Sequence, residues 1–367
     1  MVEQVKIHSD LDIYILLKNG GELVSEFEKF GKTYIWNLAF SETIFSRVRN
    51  RLLNKVGIKR VTRREKNQEN IFKAIDEADI IFNNTVTNAS LLKQLPLNGK
   101  RVFSYFHEMQ VITDILSSVE EVGYLNNISE KIFVPSMAVK NFFIKDYNIG
   151  EEKFAGLKYV IPKPHDRKNI ECGADMNIKR IGGNKFLVGC CGTLHWRKGY
   201  EFLPLIAKKI IHDKKITDIH FVWIGANAQS IEYSILRNDL VKLGLENDFT
   251  FIEPIRDIQP YLSQLDVLAL PSREDAFPLV VLEAAYHEIP CIYFSGAGGI
   301  PEFSENDAGI AIDYLDVESM ADAIIQLKTD DQLRSSLGKR ARQKILSYSN
   351  DKLIVEELLS HFNNSLS

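Results

Sequence analysis

Residues 277–286 read FPLVVLEAAY, an apolar run with one carboxylate, Glu283, near its centre. A helix of that composition has no polar face to turn to water and must be buried. An ionised Glu inside it is costly unless something hydrogen-bonds to it. Pro278 suits the first helical position, which starts the helix just after Asp275. That end carries free N–H groups and a partial positive charge, and it suits a phosphate. Glu283, farther along, suits ligand hydroxyls; the plain alternative is a satisfied structural Glu.

A second cluster follows the apolar stretch 186–191, which runs into GTLHWRKG from Gly192 to Gly199 and then into a helix expected near Tyr200. Arg197 and Lys198, at a strand-to-helix turn with Gly on both sides, can meet a diphosphate: Arg chelates two oxygens and Lys adds a point charge. A solvated basic helix start is the plain alternative. Two further loops follow strand candidates. Segment 249–257, FTFIEPIRD, holds Glu253, Pro254 and Ile255; segment 296–302, GAGGIPE, holds Gly298 and Gly299, which permit close backbone approach. Stretch 101–106 ends in His107 and Glu108. A His at a strand's carboxyl end can donate a hydrogen bond to a reacting group, with Glu108 orienting it, or it can simply pack locally.

Segment 271–285, PSREDAFPLVVLEAA, resembles the signature of GT-B glycosyltransferases, specifically the retaining family 4 group. That signature carries two acids separated by seven residues, and Asp275 and Glu283 match it here. The resemblance implies that Glu283 holds the nucleotide ribose and that Asp275 contacts donor-sugar hydroxyls. Asp275 replaces the usual Glu, and Glu274 stands beside it as a substitute. The resemblance also implies that Lys198 and Arg197 neutralise a leaving diphosphate; a second Arg often follows the first Gly, but Thr193 stands there, so Arg197 takes that role. Loop 249–257 would bracket the nucleobase, the helix end at Phe277, Pro278 and Leu279 the diphosphate, and Gly192, Gly298 and Gly299 the donor nearby. His107 would stand at the reaction centre.

The resemblance is strong over 186–315, fair over 80–161 and poor before residue 20. It implies an α/β architecture of two Rossmann-like parallel-sheet domains facing a cleft, the GT-B fold, with a shortened first domain. The opening strand, Gly-rich loop and helix of that family have only about ten residues in their place here, and Gly20-Gly21 resembles a later turn. Expected boundaries are 1–162, a linker 163–184, 185–350, and a helix 351–367 returning to the first domain. The implied reaction is transfer of a hexosyl group from a nucleotide-diphosphate sugar to a hydroxyl, with retained configuration. No metal or other cofactor is required, and the acceptor is a saccharide or lipid-linked molecule, as in surface polysaccharide or glycolipid synthesis. A non-catalytic GT-B-like protein that binds a nucleotide or assists a partner is the rival reading. An epimerase or phosphorylase fits less well, because no pyridoxal-type lysine motif is present.

The elements that must position these residues follow from patterning. Short apolar runs alternate with helical patterns from end to end, which predicts parallel sheets flanked by helices. Strands are expected at 12–17, 33–36, 80–83, 101–106, 131–134 and 159–161, then at 186–191, 220–224, 250–252, 267–270 and 290–294, with a helix over 260–264. Open sheets of this type bind ligands at the carboxyl ends of their strands, where the candidate residues fall. At 367 residues and 45% apolar, two ordinary domains fit. A net charge of −4 argues against a nucleic-acid partner. No apolar run is long enough to span a membrane, and the first ten residues lack a signal peptide's apolar stretch, which points to the cytoplasm. Cys172, Cys190, Cys191 and Cys291 lack metal spacing and read as free thiols. Asp10 and Asp12 begin a strand and are discounted as a metal site. No GxGxxG opens a helix, which disfavours a nicotinamide cofactor. Segment 47–66, from Arg47 to Lys66, holds nine Lys or Arg and one acid, Glu65. It suits an anionic membrane's inner face or a phosphate-bearing acceptor, and equally a solvated surface.

Overall fold

The computed structural model describes residues 1–37, 63–161, 178 and 183–363. The basic segment up to residue 62, most of the expected linker, and Cys172 lie outside the described residues.

Among the described residues, the first domain holds six strands: β1 (Tyr14–Leu17), β2 (Lys32–Ile35), β3 (Ile80–Asn83), β4 (Arg101–Tyr105), β5 (Ser129–Val134) and β6 (Phe154–Gly156). β1 and β2 make a small parallel sheet of their own, and β3-β4-β5-β6 make a parallel sheet in sequence order. Three of its helices matter below: α1 (Val2–His8), α2 (Gln110–Leu116) and α3 (Met137–Tyr147). α3 begins where Ser136 Oγ accepts from Val139 N at 3.3 Å, and it stops at Asn148, whose φ of 52° breaks the helix.

The second domain holds β7 (Phe186–Cys191), β8 (Ile219–Ile224), β9 (Phe249–Ile252), β10 (Val267–Leu270), β11 (Cys291–Phe294) and β12 (Gly309–Ile312). All six are parallel, in the order β12-β11-β10-β7-β8-β9. Every residue of β8, β10 and β11 is buried, because helices cover both faces of this sheet. The strand order reverses between β7 and β10, and such a reversal leaves a crevice beyond the carboxyl ends of those two strands. Helix α4 (Leu279–Tyr286) follows β10, α5 (Ile300–Ser304) follows β11, and α6 (Asp331–Tyr348) packs on α4.

The last helix, α7 (Asp351–Asn363), lies on the first domain. Ile354, Val355, Leu358 and Phe362 form a helical stripe buried against Phe103, Tyr105, Phe133 and Leu157. Burying each of these side chains contributes about 2 kcal/mol. Val5 of α1 joins the same cluster, so both chain ends meet on one face of the first sheet.

Several expectations are corrected. Residues 159–161 are not a strand; the edge strand is β6, five residues earlier. A run as short as Phe154–Gly156 carries too little periodicity to mark itself. β12 was not anticipated, because Gly309 and Ala311 dilute its apolar signal. The first residues form a helix, and Asp10 and Asp12 precede β1. Near Tyr200 the chain makes 3-10 turns, and the α-helix starts only at Leu203. Pro278 caps α4 instead of occupying its first turn, Leu279 is 43% exposed, and Glu283 is half-buried, so this helix is not buried all round.

Candidate active site

The crevice is built by two turns. After β7 the chain bends at Gly192, makes the 3-10 turn Trp196–Lys198, and passes through Gly199 at φ 65°. A Cβ at Gly199 would collide with the Pro271 carbonyl oxygen, so only glycine lets this turn press against the segment leaving β10. Arg273 N donates to Arg197 O at 2.8 Å. The Arg273 guanidinium lies over the rings of Trp196 and Phe202 at 4.9 and 4.1 Å, donates to Trp196 O, and pairs with Glu201. These contacts fix the basic turn from behind.

On this frame Lys198 Nζ lies 2.5 Å from Asp275 Oδ2, and Arg197 NH1 lies 3.5 Å from Asp275 Oδ1 and donates to Glu274 O at 2.9 Å. Asp275 is 6% exposed, and an ionised acid there needs these two cations. Glu274, 8% exposed, turns away from them: its Oε2 accepts from Val111 N of α2 at 3.1 Å, and its Oε1 is buried without a hydrogen-bond partner. Burial raises its pKa above the ordinary carboxylate value. Glu283 makes no hydrogen bond or ion pair among the described residues, and burial raises its pKa, with the charge of Asp257 adding to it.

Glu283 and Lys198 act on a common neighbour. The Cys191 thiol, at the end of β7, is pushed up to about 12, chiefly by burial, with Glu283 adding to the rise and Lys198 opposing it. β7 and β10 are adjacent and parallel, so the turn carrying Lys198 and the segment leading into α4, which carries Glu283, leave the sheet at the same end. Lys198's stem lies over Gly192, whose carbonyl accepts from Trp223 Nε1 at 2.7 Å. Thr193 is exposed on the same turn. Glu253, Pro254 and Ile255 form an exposed loop after β9, and Glu253 accepts from Ala228 N at 3.1 Å. Pro278 is buried at the α4 cap, and Leu279 opens the helix. The Phe277 ring is buried between Tyr159 and Tyr348, with centroids 6.2 and 6.0 Å away, so any ligand contact there comes from its backbone. Gly298 bridges to Asp275, and Gly299 approaches the first domain.

Across the cleft, His107 Nε2 lies 2.7 Å from Asn84 O. A carbonyl can only accept, so the neutral ring carries its proton on Nε2 and leaves Nδ1 as an acceptor. This modifies the expected donor role of His107. Glu108 accepts from Val86 N, His107 N and the Thr85 hydroxyl, which fixes the loop. Tyr159 was not singled out by sequence. Burial pushes its phenol up, and its ring packs against Tyr105 of β4 and against Phe277 in the segment leading into α4. Nothing in its local sequence marks it, since the contact is made only on folding. Among the described residues, no group of three or more His, Cys, Asp or Glu could hold a metal, and no helix is long and apolar enough to cross a membrane.

A family model for group 1 glycosyl transferases matches residues 185–330. The chain is 25% identical over 277 residues to the capsular polysaccharide biosynthesis glycosyltransferase CapM of Staphylococcus aureus, covering 75% of this chain and 70% of that one. It is 29% identical over 182 residues to the UDP-Gal:alpha-D-GlcNAc-diphosphoundecaprenol alpha-1,3-galactosyltransferase of Escherichia coli, covering 47% and 44%. The Anabaena protein Alr3699/HepE, solved in complex with UDP and glucose, superposes with a TM-score of 0.74 at 16% identity over 96% of this chain and 99% of that one. With two parallel-sheet domains meeting at a cleft, the chain has the GT-B fold and carries, over residues 185–330, a group 1 glycosyl transferase domain.

Proposed function

We propose that this protein transfers a hexosyl group from a nucleoside-diphosphate sugar to a hydroxyl of a saccharide or lipid-linked acceptor, with retained configuration as in family 4. The observation that carries this reading is the cluster of Arg197 and Lys198 on Asp275 at the carboxyl ends of β7 and β10, with Glu283 unpaired among the described residues on α4, the helix that follows β10. Arg197 and Lys198 face a departing diphosphate and offset its growing charge, so no metal is needed for that step. Glu283, with no protein partner among the described residues, accepts from the ribose hydroxyls. Asp275 meets the donor sugar and keeps the basic pair in place. Glu274, the substitute for Asp275 in the sugar contact, serves the domain contact through Val111 N. His107 Nδ1 accepts from a hydroxyl of the transferring sugar. The bond from the anomeric carbon to the diphosphate breaks with its electrons on the phosphate oxygen, the acceptor oxygen bonds to that carbon, and the acceptor's proton passes to the departing diphosphate.

The relatives support the substrate class: HepE's solved complex holds UDP and glucose, CapM works in capsular polysaccharide biosynthesis, and the Escherichia coli enzyme acts on a diphosphoundecaprenol acceptor. A place at the inner face of the membrane, aided by the basic segment 47–66, follows from that acceptor class. The test is a panel of nucleotide sugars and saccharide or polyprenol-linked acceptors, with the product's anomeric configuration read by NMR. Lys198→Ala, Glu283→Ala and His107→Ala should each impair transfer; full activity in all three, or nucleotide binding with no turnover of any donor, would end the assignment.

A further inference from the structure

Glu302 sits in the GAGGIPE turn, which the sequence placed beside the donor, yet its carboxylate faces the other domain. Oε1 accepts from Met137 N at 2.7 Å and from Ala138 N at 3.2 Å, the first two N–H groups of α3. Among the described residues no Lys or Arg pairs with Glu302, although Lys344, beside the same cavity, pairs with Glu305 and Asp307. One residue before α3, Ser136 Oγ donates to Ala276 O at 2.9 Å. Gly299 is compressed at the same place: a Cβ there would lie 2.6 Å from Ser136 Cβ and 2.6 Å from Ala276 O. The glycine pair thus serves the domain contact, and Gly298 carries it on by bridging to Asp275, the partner of Lys198.

We propose that Glu302 is a positioning residue that latches the first domain over the donor crevice by seating its carboxylate on the N-terminal turn of α3. The backbone path from Asp275 through Gly298 and Gly299 to Glu302 couples occupancy of the basic turn to domain closure. A carboxylate at a helix N-terminus is a modest, solvent-accessible attachment, which suits a latch that must open once per turnover. The contact borders an interdomain cavity of about 520 Å³ that also touches Phe277 and Tyr348, so opening would be felt at the α4 cap. Closure shields the reacting centre from water, so a broken latch favours hydrolysis over transfer.

The effect on turnover rests on the transfer reading above; the effect on shape does not. The experiment uses the full chain, with small-angle scattering in saturating UDP and a donor assay that separates transfer from hydrolysis. Glu302→Ala should increase the radius of gyration, lower transfer about tenfold, raise the hydrolysed fraction, and weaken UDP by a few-fold, because occupancy and closure are linked. Glu302→Asp, one methylene short of the N–H groups, should show the same changes to a smaller degree, and it carries the test if the alanine variant does not fold. Wild-type scattering and a wild-type transfer-to-hydrolysis ratio in a folded variant overturn the proposal. If the wild type turns over no donor, scattering alone decides: a more open variant sustains the latch, and an unchanged one rejects it.

Discussion

Lys198 Nζ and Asp275 Oδ2, 2.5 Å apart, join the turn after β7 to the turn after β10 across the point where the strand order reverses. The pair has a consequence for ligand binding. Without a ligand, Asp275 is the counterion of both Lys198 and Arg197, and an incoming diphosphate must share those cations with a carboxylate. Removing the carboxylate's charge leaves two cations seeking an anion.

Asp275→Asn should therefore bind a nucleoside diphosphate several-fold more tightly than the wild type, while losing transfer because product release slows and the sugar contact is gone. Lys198→Ala should weaken the same ligand by about tenfold or more, in line with loss of a charge-assisted contact. Calorimetry with UDP on both variants checks this. Weaker binding by Asp275→Asn would show that the acid contacts the diphosphate through a bridging group instead of competing with it.

Glu283 yields a pH prediction. Burial raises its pKa above the ordinary carboxylate value, and the ionised form is the stronger acceptor, able to take one ribose hydroxyl on each oxygen. Donor affinity should be full above that raised pKa and fall as pH drops through it, at a pH where exposed carboxylates are still charged. Glu283→Gln should bind about tenfold more weakly and lose this dependence. Measuring UDP affinity between mild acid and neutral pH for both proteins tests it; parallel profiles would dissociate Glu283 from the titration.

A stability prediction concerns Glu274. Its folded pKa is raised by burial, so the folded state holds the proton more tightly than the unfolded chain. The stability tied to that proton is complete below the unfolded pKa and is lost as pH rises through the folded one. At neutral pH the ionised acid is a cost, aggravated by an Oε1 with no hydrogen-bond partner. Glu274→Gln keeps an acceptor for Val111 N and removes the charge, so its Tm at neutral pH should rise by about 2 °C while transfer falls. A lower Tm would mean that the ionised form is stabilised by groups near Arg197.

The second domain was legible because its signals are local. β7, β10 and the start of the α4 segment are apolar runs closed by Gly or Pro, and the acids and cations sit beside them in sequence. The first domain was read less well: the short β6 lacks periodicity, and α1 derives its burial from α7, more than three hundred residues away. The domain contacts were not legible at all. Glu302 and Met137 lie 165 positions apart and Ser136 and Ala276 lie 140 apart, and nothing in GAGGIPE distinguishes a turn that touches a ligand from one that touches another domain. His107 shows a finer limit, since sequence placed it at the strand end but only Asn84 O fixes which nitrogen carries the proton.

Gly199 tests whether the basic turn works by its shape as well as its charge. At φ 65° an alanine is strained, and its Cβ would meet the Pro271 carbonyl oxygen, which is backbone and cannot swing away. Gly199→Ala must push the 3-10 turn off the β10 segment, breaking the hydrogen bonds from Arg273 N and Glu274 N to Arg197 O and moving Lys198 away from Asp275. The expected outcome is a loss of about 1–3 kcal/mol in stability together with UDP affinity at least as poor as in Lys198→Ala, although every charged side chain is intact. Chemical denaturation and calorimetry on one preparation separate the two effects. Wild-type UDP affinity in a measurably destabilised Gly199→Ala would show that the cations find the diphosphate without the preformed turn, and that charge alone carries the site.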